Sequence, residues 1–89
     1  MLSAAFSSRG PTDDGRIKPD VVAPGTFVIS ARSHMPQAGT GWGLVGEHYY
    51  YHTGTSVAAP LVSGAAAVVR EWLIKLAGVA NPSADLVKA

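Results

Sequence analysis

No cysteine occurs in the 89 residues, so the chain has no disulfide, no thiolate metal site and no cysteine nucleophile, and its redox compartment is not written in its cysteines. Charge is sparse too. Only 15% of residues are charged, the formal net charge is +1, and the basic residues are scattered from Arg9 to Lys88. Without a basic cluster there is no electrostatic footprint for nucleic acid or for an anionic membrane, and neither partner is expected. The apolar fraction of 47% is too high for a disordered chain, which needs low hydrophobicity and high net charge. A long hydrophobic run is also lacking. The longest, Val57 to Val69, is broken by Pro60, Ser63 and Gly64 and falls short of the roughly 20 residues that span a bilayer, so no membrane span is expected. The opening Met1 to Phe6 lacks the basic start and apolar core of a signal peptide, which leaves localisation open.

What is present is enough for one small domain, able to bury only about 60% of its unfolded surface. Residues 2–8 read as a short strand ending in the Arg9-Gly10-Pro11 turn, and Asp13-Asp14-Gly15 supplies a surface turn. Residues 20–31 read as two strands joined at Pro24-Gly25, and residues 47–53, with the Tyr49-Tyr50-Tyr51 triplet, as another. Between them, Arg32 to Gly46 holds five glycines and prolines in fifteen residues, the composition of a long functional loop or of a disordered linker. A helix follows over residues 56–76. Pro60 belongs in its first turn and Gly78 lies just past its end, while Leu61, Ala65, Val68, Trp72 and Leu76 recur at the helical period. Its first half is apolar all round and calls for cover on every side. Its second half carries Arg70, Glu71 and Lys75, with Glu71 and Lys75 in favourable i,i+4 order.

Gly54-Thr55-Ser56 sets a small polar triplet between that last strand and the helix. A serine at a helix start exposes its oxygen, sits at the positive end of the macrodipole and offers a backbone N–H to a developing oxyanion. Taken alone, the triplet reads first as an ordinary serine helix cap. The longer string Gly54-Thr55-Ser56-Val57-Ala58-Ala59-Pro60-Leu61-Val62-Ser63-Gly64 resembles the catalytic-serine signature of the subtilases, the subtilisin-like serine peptidases. Phe6-Ser7-Ser8-Arg9-Gly10-Pro11 and Lys18-Pro19-Asp20-Val21-Val22-Ala23-Pro24-Gly25 resemble, in the same order, two stretches that precede it, and the likeness is closest to large bacterial alkaline subtilases.

The resemblance implies an α/β fold, part of a doubly wound, mainly parallel subtilisin-like domain, with residues 1–89 forming a single partial catalytic domain. It implies that Ser56 is the nucleophile, with Thr55 and the Ser56 N–H flanking the oxyanion, in a hydrolase acting on peptide or ester substrates without a cofactor. The family's aspartate, histidine and side-chain amide precede the serine in chain order, and no stretch here resembles their motifs. The family's usual histidine just after the proline is Leu61, a structural departure. The family is usually secreted, and its specificity pocket and variable calcium sites lie mostly in other segments.

His52, four residues before Ser56, is the nearest candidate base, although a strand histidine of ordinary packing is the favoured reading; His48 and His34 are weaker candidates. Asp13 and Asp14 read as a turn and Asp20 as part of a strand. No metal site is expected, because His48 and His52 would share a face only on a helix. Two functions follow. One is acyl transfer through Ser56, including weak esterase activity in this short form. The other is a catalytically inactive fragment that self-associates through its apolar helix and open strand edges, a homo-oligomer in either case.

Overall fold

The computed structural model describes residues 4–89. Three strands and two helices follow one another as β1 Val28–Ala31, β2 Leu44–Val45, β3 Tyr49–His52, α1 Thr55–Lys75 and α2 Ala84–Lys88. The strands form one sheet in the order β1-β3-β2. Both pairings are antiparallel, with Val28 opposite His52, Ala31 opposite Tyr49 and Leu44 opposite Tyr50. The described strands therefore contain no parallel pair, unlike the sheet that the resemblance implied. A small antiparallel sheet with helices is still an α/β composition.

Element boundaries depart from the sequence reading where tertiary partners decide. Residues 2 and 3 of the expected 2–8 strand lie outside the described residues, and its remainder is a turn in which the Ser7 N–H donates to the Ala4 carbonyl at 2.9 Å. Asp20 is a bend and Val21 to Ala23 have no regular structure, so only Val28–Ala31 of the expected 20–31 region is strand. β-branched residues favour a strand only where a neighbouring strand completes the ladder. The 47–53 region contracts to β3, because Gly46 at φ 74° opens a turn through His48 that joins it to β2. Inside the Gly-rich loop, β2 forms, and its pairing is extended by the Tyr51 N–H donating to the Gly43 carbonyl at 2.9 Å.

α1 lies close to its expected place. Pro60 sits inside it, one turn in, where its missing N–H leaves the Ser56 carbonyl without its i+4 donor and costs little else. At the other end Gly78, at φ 72°, turns the chain so that the Val79 N–H reaches the Leu73 carbonyl at 2.9 Å. α2 was not anticipated; Ser83 caps it by accepting from the Leu86 N–H, with Asp85 in its first turn and Lys88 in its last. By length and composition α1 is apolar enough to cross a membrane, a profile shared by the central helix of an α/β domain.

Cover over α1 is thin. Leu73 is the one buried large hydrophobic residue among the described residues, whereas Val68 is 66% and Trp72 53% exposed. A compact chain of 9.2 kDa exposes about 4,900 Å². This one exposes 6982 Å². Its radius of gyration is 16.9 Å against about 12 Å for a compact domain of this length.

Candidate catalytic-serine site

The site begins with a backbone constraint. Gly54 caps α1 at φ 146° and ψ 163°, with no side-chain cap, and a side chain is strained at that φ. The next two residues, Thr55 and Ser56, open the helix with exposed side chains. The Val57 N–H is taken by the Gly54 carbonyl at 3.1 Å, whereas the Thr55 and Ser56 N–H groups have no acceptor among the described residues. Free N–H groups at a helix start carry the positive end of the macrodipole and point at whatever oxygen is placed there. The Ser56 hydroxyl is likewise unengaged among the described residues.

A strap of chain holds this start in place. The Gly54 N–H donates to the Gly25 carbonyl at 2.7 Å, and the Phe27 N–H donates to Thr53 Oγ1 at 3.0 Å. Contact at Gly25 is so close that a Cβ there would meet the Gly54 carbonyl oxygen at 2.9 Å and the Ala58 Cβ at 3.3 Å. Phe27 has φ 49°, unusual for a bulky residue. Its ring stacks edge-on against Tyr51 and Trp42 at centroid distances of 5.9 and 6.4 Å, which ties the strap to β3 and to the Gly-rich loop. Gly25 and Thr53 are thus positioning residues. From sequence, Pro24-Gly25 read as a turn closing a family-like stretch and Thr53 as the end of a strand; neither showed its part in the strap, because their partners lie 29 and 26 positions away.

The three stretches singled out by sequence meet beside this helix start. Phe6-Ser7, Val22 to Thr26, and Gly54, Thr55 and Ala58 line one groove of about 340 Å³. Ser56 stands next to the groove, outside its lining.

The other candidates lie apart. His52 packs edge-on against Tyr50, ring centroids 4.0 Å apart, and makes no hydrogen bond to Ser56. His34 and His48 pair with each other instead, at 3.1 Å between ring nitrogens. Asp14 binds Thr12 and Arg16, which together lower its carboxyl pKa. Asp20 is held between Lys18 and Lys88, with the Lys88 bridge at 2.9 Å. Hydrogen bonds from Lys18 first and Lys88 second bring its carboxyl down to about 2, and the same bond raises the Lys88 ammonium. Both carboxylates are thus committed to local ion pairs away from the serine, and Asp20 is no part of a strand. Among the described residues no group of three or more metal-ligating side chains gathers at one place.

The profile of the subtilase family, peptidase S8, matches residues 2–83. Over 74 residues the chain is 43% identical to the serine protease/ABC transporter B family protein tagD of Dictyostelium discoideum, covering 79% of this chain and 4% of that protein. It is 44% identical over 69 residues to the serine protease AprX of Bacillus subtilis, covering 74% of this chain and 15% of AprX. Against the minor extracellular protease Vpr of Bacillus subtilis the figures are 41% over 70 residues, 76% of this chain and 8% of Vpr. The chain thus spans a small part of the length of these curated relatives. With a family profile running through nearly all of it, the chain belongs to the subtilase family of serine peptidases.

Proposed function

We propose that this segment supplies the nucleophile of a subtilisin-like serine hydrolase. Ser56 Oγ attacks the carbonyl carbon of a peptide or ester, its proton passes to a base, and the carbonyl oxygen takes the negative charge. The Ser56 N–H, with Thr55 beside it, stabilises that oxyanion. The leaving amine or alcohol departs with a proton, and water then hydrolyses the acyl-serine. One observation carries this reading: Ser56 stands on the first turn of a 21-residue helix entered through Gly54 at φ 146°, with its hydroxyl and N–H unpartnered among the described residues. The base and its orienting carboxylate come from beyond this segment, since no imidazole here hydrogen-bonds the serine. In the doubly wound parent fold, the surface of α1 that is bare here is covered by further layers.

Without a base a serine hydroxyl is a weak nucleophile, but subtilisin-type enzymes stripped of triad members keep about 10³-fold catalysis over water from the oxyanion site and binding. The isolated chain is therefore a weak esterase with little action on peptides, because an activated ester leaves without help from an acid. Assaying a chromogenic ester and a peptide against the Ser56→Ala variant tests this. Loss of ester turnover in the variant supports it; equal turnover by both proteins refutes it.

A second reading, an inactive fragment that self-associates, is favoured by the exposed surface. The excess over a compact chain, about 2,000 Å² per chain, is of the size that obligate homodimers bury. Self-association and esterase activity are compatible, and the Ser56→Ala comparison separates the hydrolase from the inert assembly.

A further inference from the structure

We propose that His34 and His48 form a two-imidazole site for a divalent transition metal of borderline softness, such as Zn²⁺. His34 lies just after β1 and His48 in the turn that leads into β3, so the two close the base of the Gly-rich loop. Their rings approach with His48 Nδ1 3.1 Å from His34 Nε2 and centroids 5.2 Å apart. Two ring nitrogens this close need a proton or a cation between them, because facing lone pairs repel. A zinc ion bound to two imidazoles at about 2.0–2.1 Å sets their nitrogens about 2.9 Å apart at a right angle and about 3.4 Å apart at the tetrahedral angle. The observed separation falls between these values.

Glu47 selects the metal-ready form of His48. Its Oε2 lies 3.9 Å from His48 Nε2, the ring nitrogen turned away from His34. A modest rotation of this exposed carboxylate brings it within hydrogen-bond reach, where it accepts the Nε2 proton and leaves the Nδ1 lone pair free. This carboxylate–histidine arrangement orients metal-bound imidazoles generally. Backbone geometry holds the two ends in place: the Arg32 N–H donates to the His48 carbonyl at 2.8 Å. The Arg32 guanidinium donates to the Glu47 carbonyl at 3.5 Å, which ties the two ends of the loop together a second time. Both imidazoles are exposed, so water completes the coordination sphere.

The test is equilibrium dialysis of the 89-residue chain against Zn²⁺, with Ca²⁺ as the hard-cation control. One Zn²⁺ per chain is expected, with no Ca²⁺ at the same concentration. His34→Ala and His48→Ala should each weaken Zn²⁺ binding at least 10-fold, and Glu47→Gln by a smaller factor of about 10 or less. His52→Ala should leave it unchanged. Zn²⁺ uptake that survives both His34→Ala and His48→Ala, that falls equally in His52→Ala, or that is absent at millimolar metal would overturn the assignment. Circular dichroism of each variant checks that the fold is retained, and both histidines are exposed, so a loss confined to metal binding reads on the site.

Discussion

Replacing Gly25 by alanine probes the strap that holds the start of α1 without touching Ser56, the proposed nucleophile. Gly25 needs no left-handed backbone, so an alanine there is opposed by space alone. Its Cβ would sit 2.9 Å from the Gly54 carbonyl oxygen and 3.3 Å from the Ala58 Cβ. The first contact is with backbone, which has no rotamer to escape into. Overpacking of this kind costs about 1–3 kcal/mol, and displacing the strap weakens the 2.7 Å Gly54 to Gly25 hydrogen bond, worth about 0.5–1.5 kcal/mol. Against these stands a gain of about 0.4–1 kcal/mol from stiffening the unfolded chain. The balance is a loss of about 1–3 kcal/mol. In urea, with a slope near 1 kcal/mol per molar for a chain this small, the midpoint should fall by about 1–3 M. Gly39→Ala is the control, since nothing lies within 4 Å of a Cβ there, and its midpoint should hold or rise slightly. Ester turnover should fall further than stability alone explains, because a nucleophile displaced by tenths of an ångström loses alignment. A Gly25→Ala chain as stable as the parent, with unchanged turnover, would refute the strap.

Acid should release α2 from the chain ahead of the strap. Asp20 titrates near 2 when folded against 3.8 as its ordinary value, so its ion pairs contribute fully above that ordinary value and are lost as pH falls from about 4 towards 2; a fluorescence titration of the parent should show this step and Asp20→Asn should lack it, and identical acid profiles would count against it. The bare face of α1 should drive association, so light scattering across a dilution series should give a mass above 9.2 kDa at micromolar concentration, reduced by Val68→Glu. A cooperative, well-folded monomer at that concentration would contradict the estimate of uncovered surface.

The helix was legible because its determinants are local: Pro60 can stand only near a helix start, and the apolar period from Leu61 to Leu76 needs no partner to be seen. β3 was legible from its three tyrosines. The Asp20 to Ala23 run was not, since the same β-branched residues are strand or irregular chain according to whether a neighbouring strand pairs with them. β2 has two residues and takes its structure from β3, and α2 depends on the Ser83 cap over a single turn. At the site, the family could be read because the motif around Ser56 is contiguous. Gly25 and Thr53 could not, because their roles exist only once the strap crosses the helix start, and the His34 and His48 pairing arises from loop closure across 14 positions.

The most direct test of the central claim is to find where an acyl group lands. Incubating the chain with an activated ester, quenching in acid and mapping the adduct by peptide mass spectrometry should locate one acyl group on Ser56, absent from Ser56→Ala along with the ester turnover. An adduct on His52 or a lysine, or turnover that persists in Ser56→Ala, would contradict Ser56 as the nucleophile.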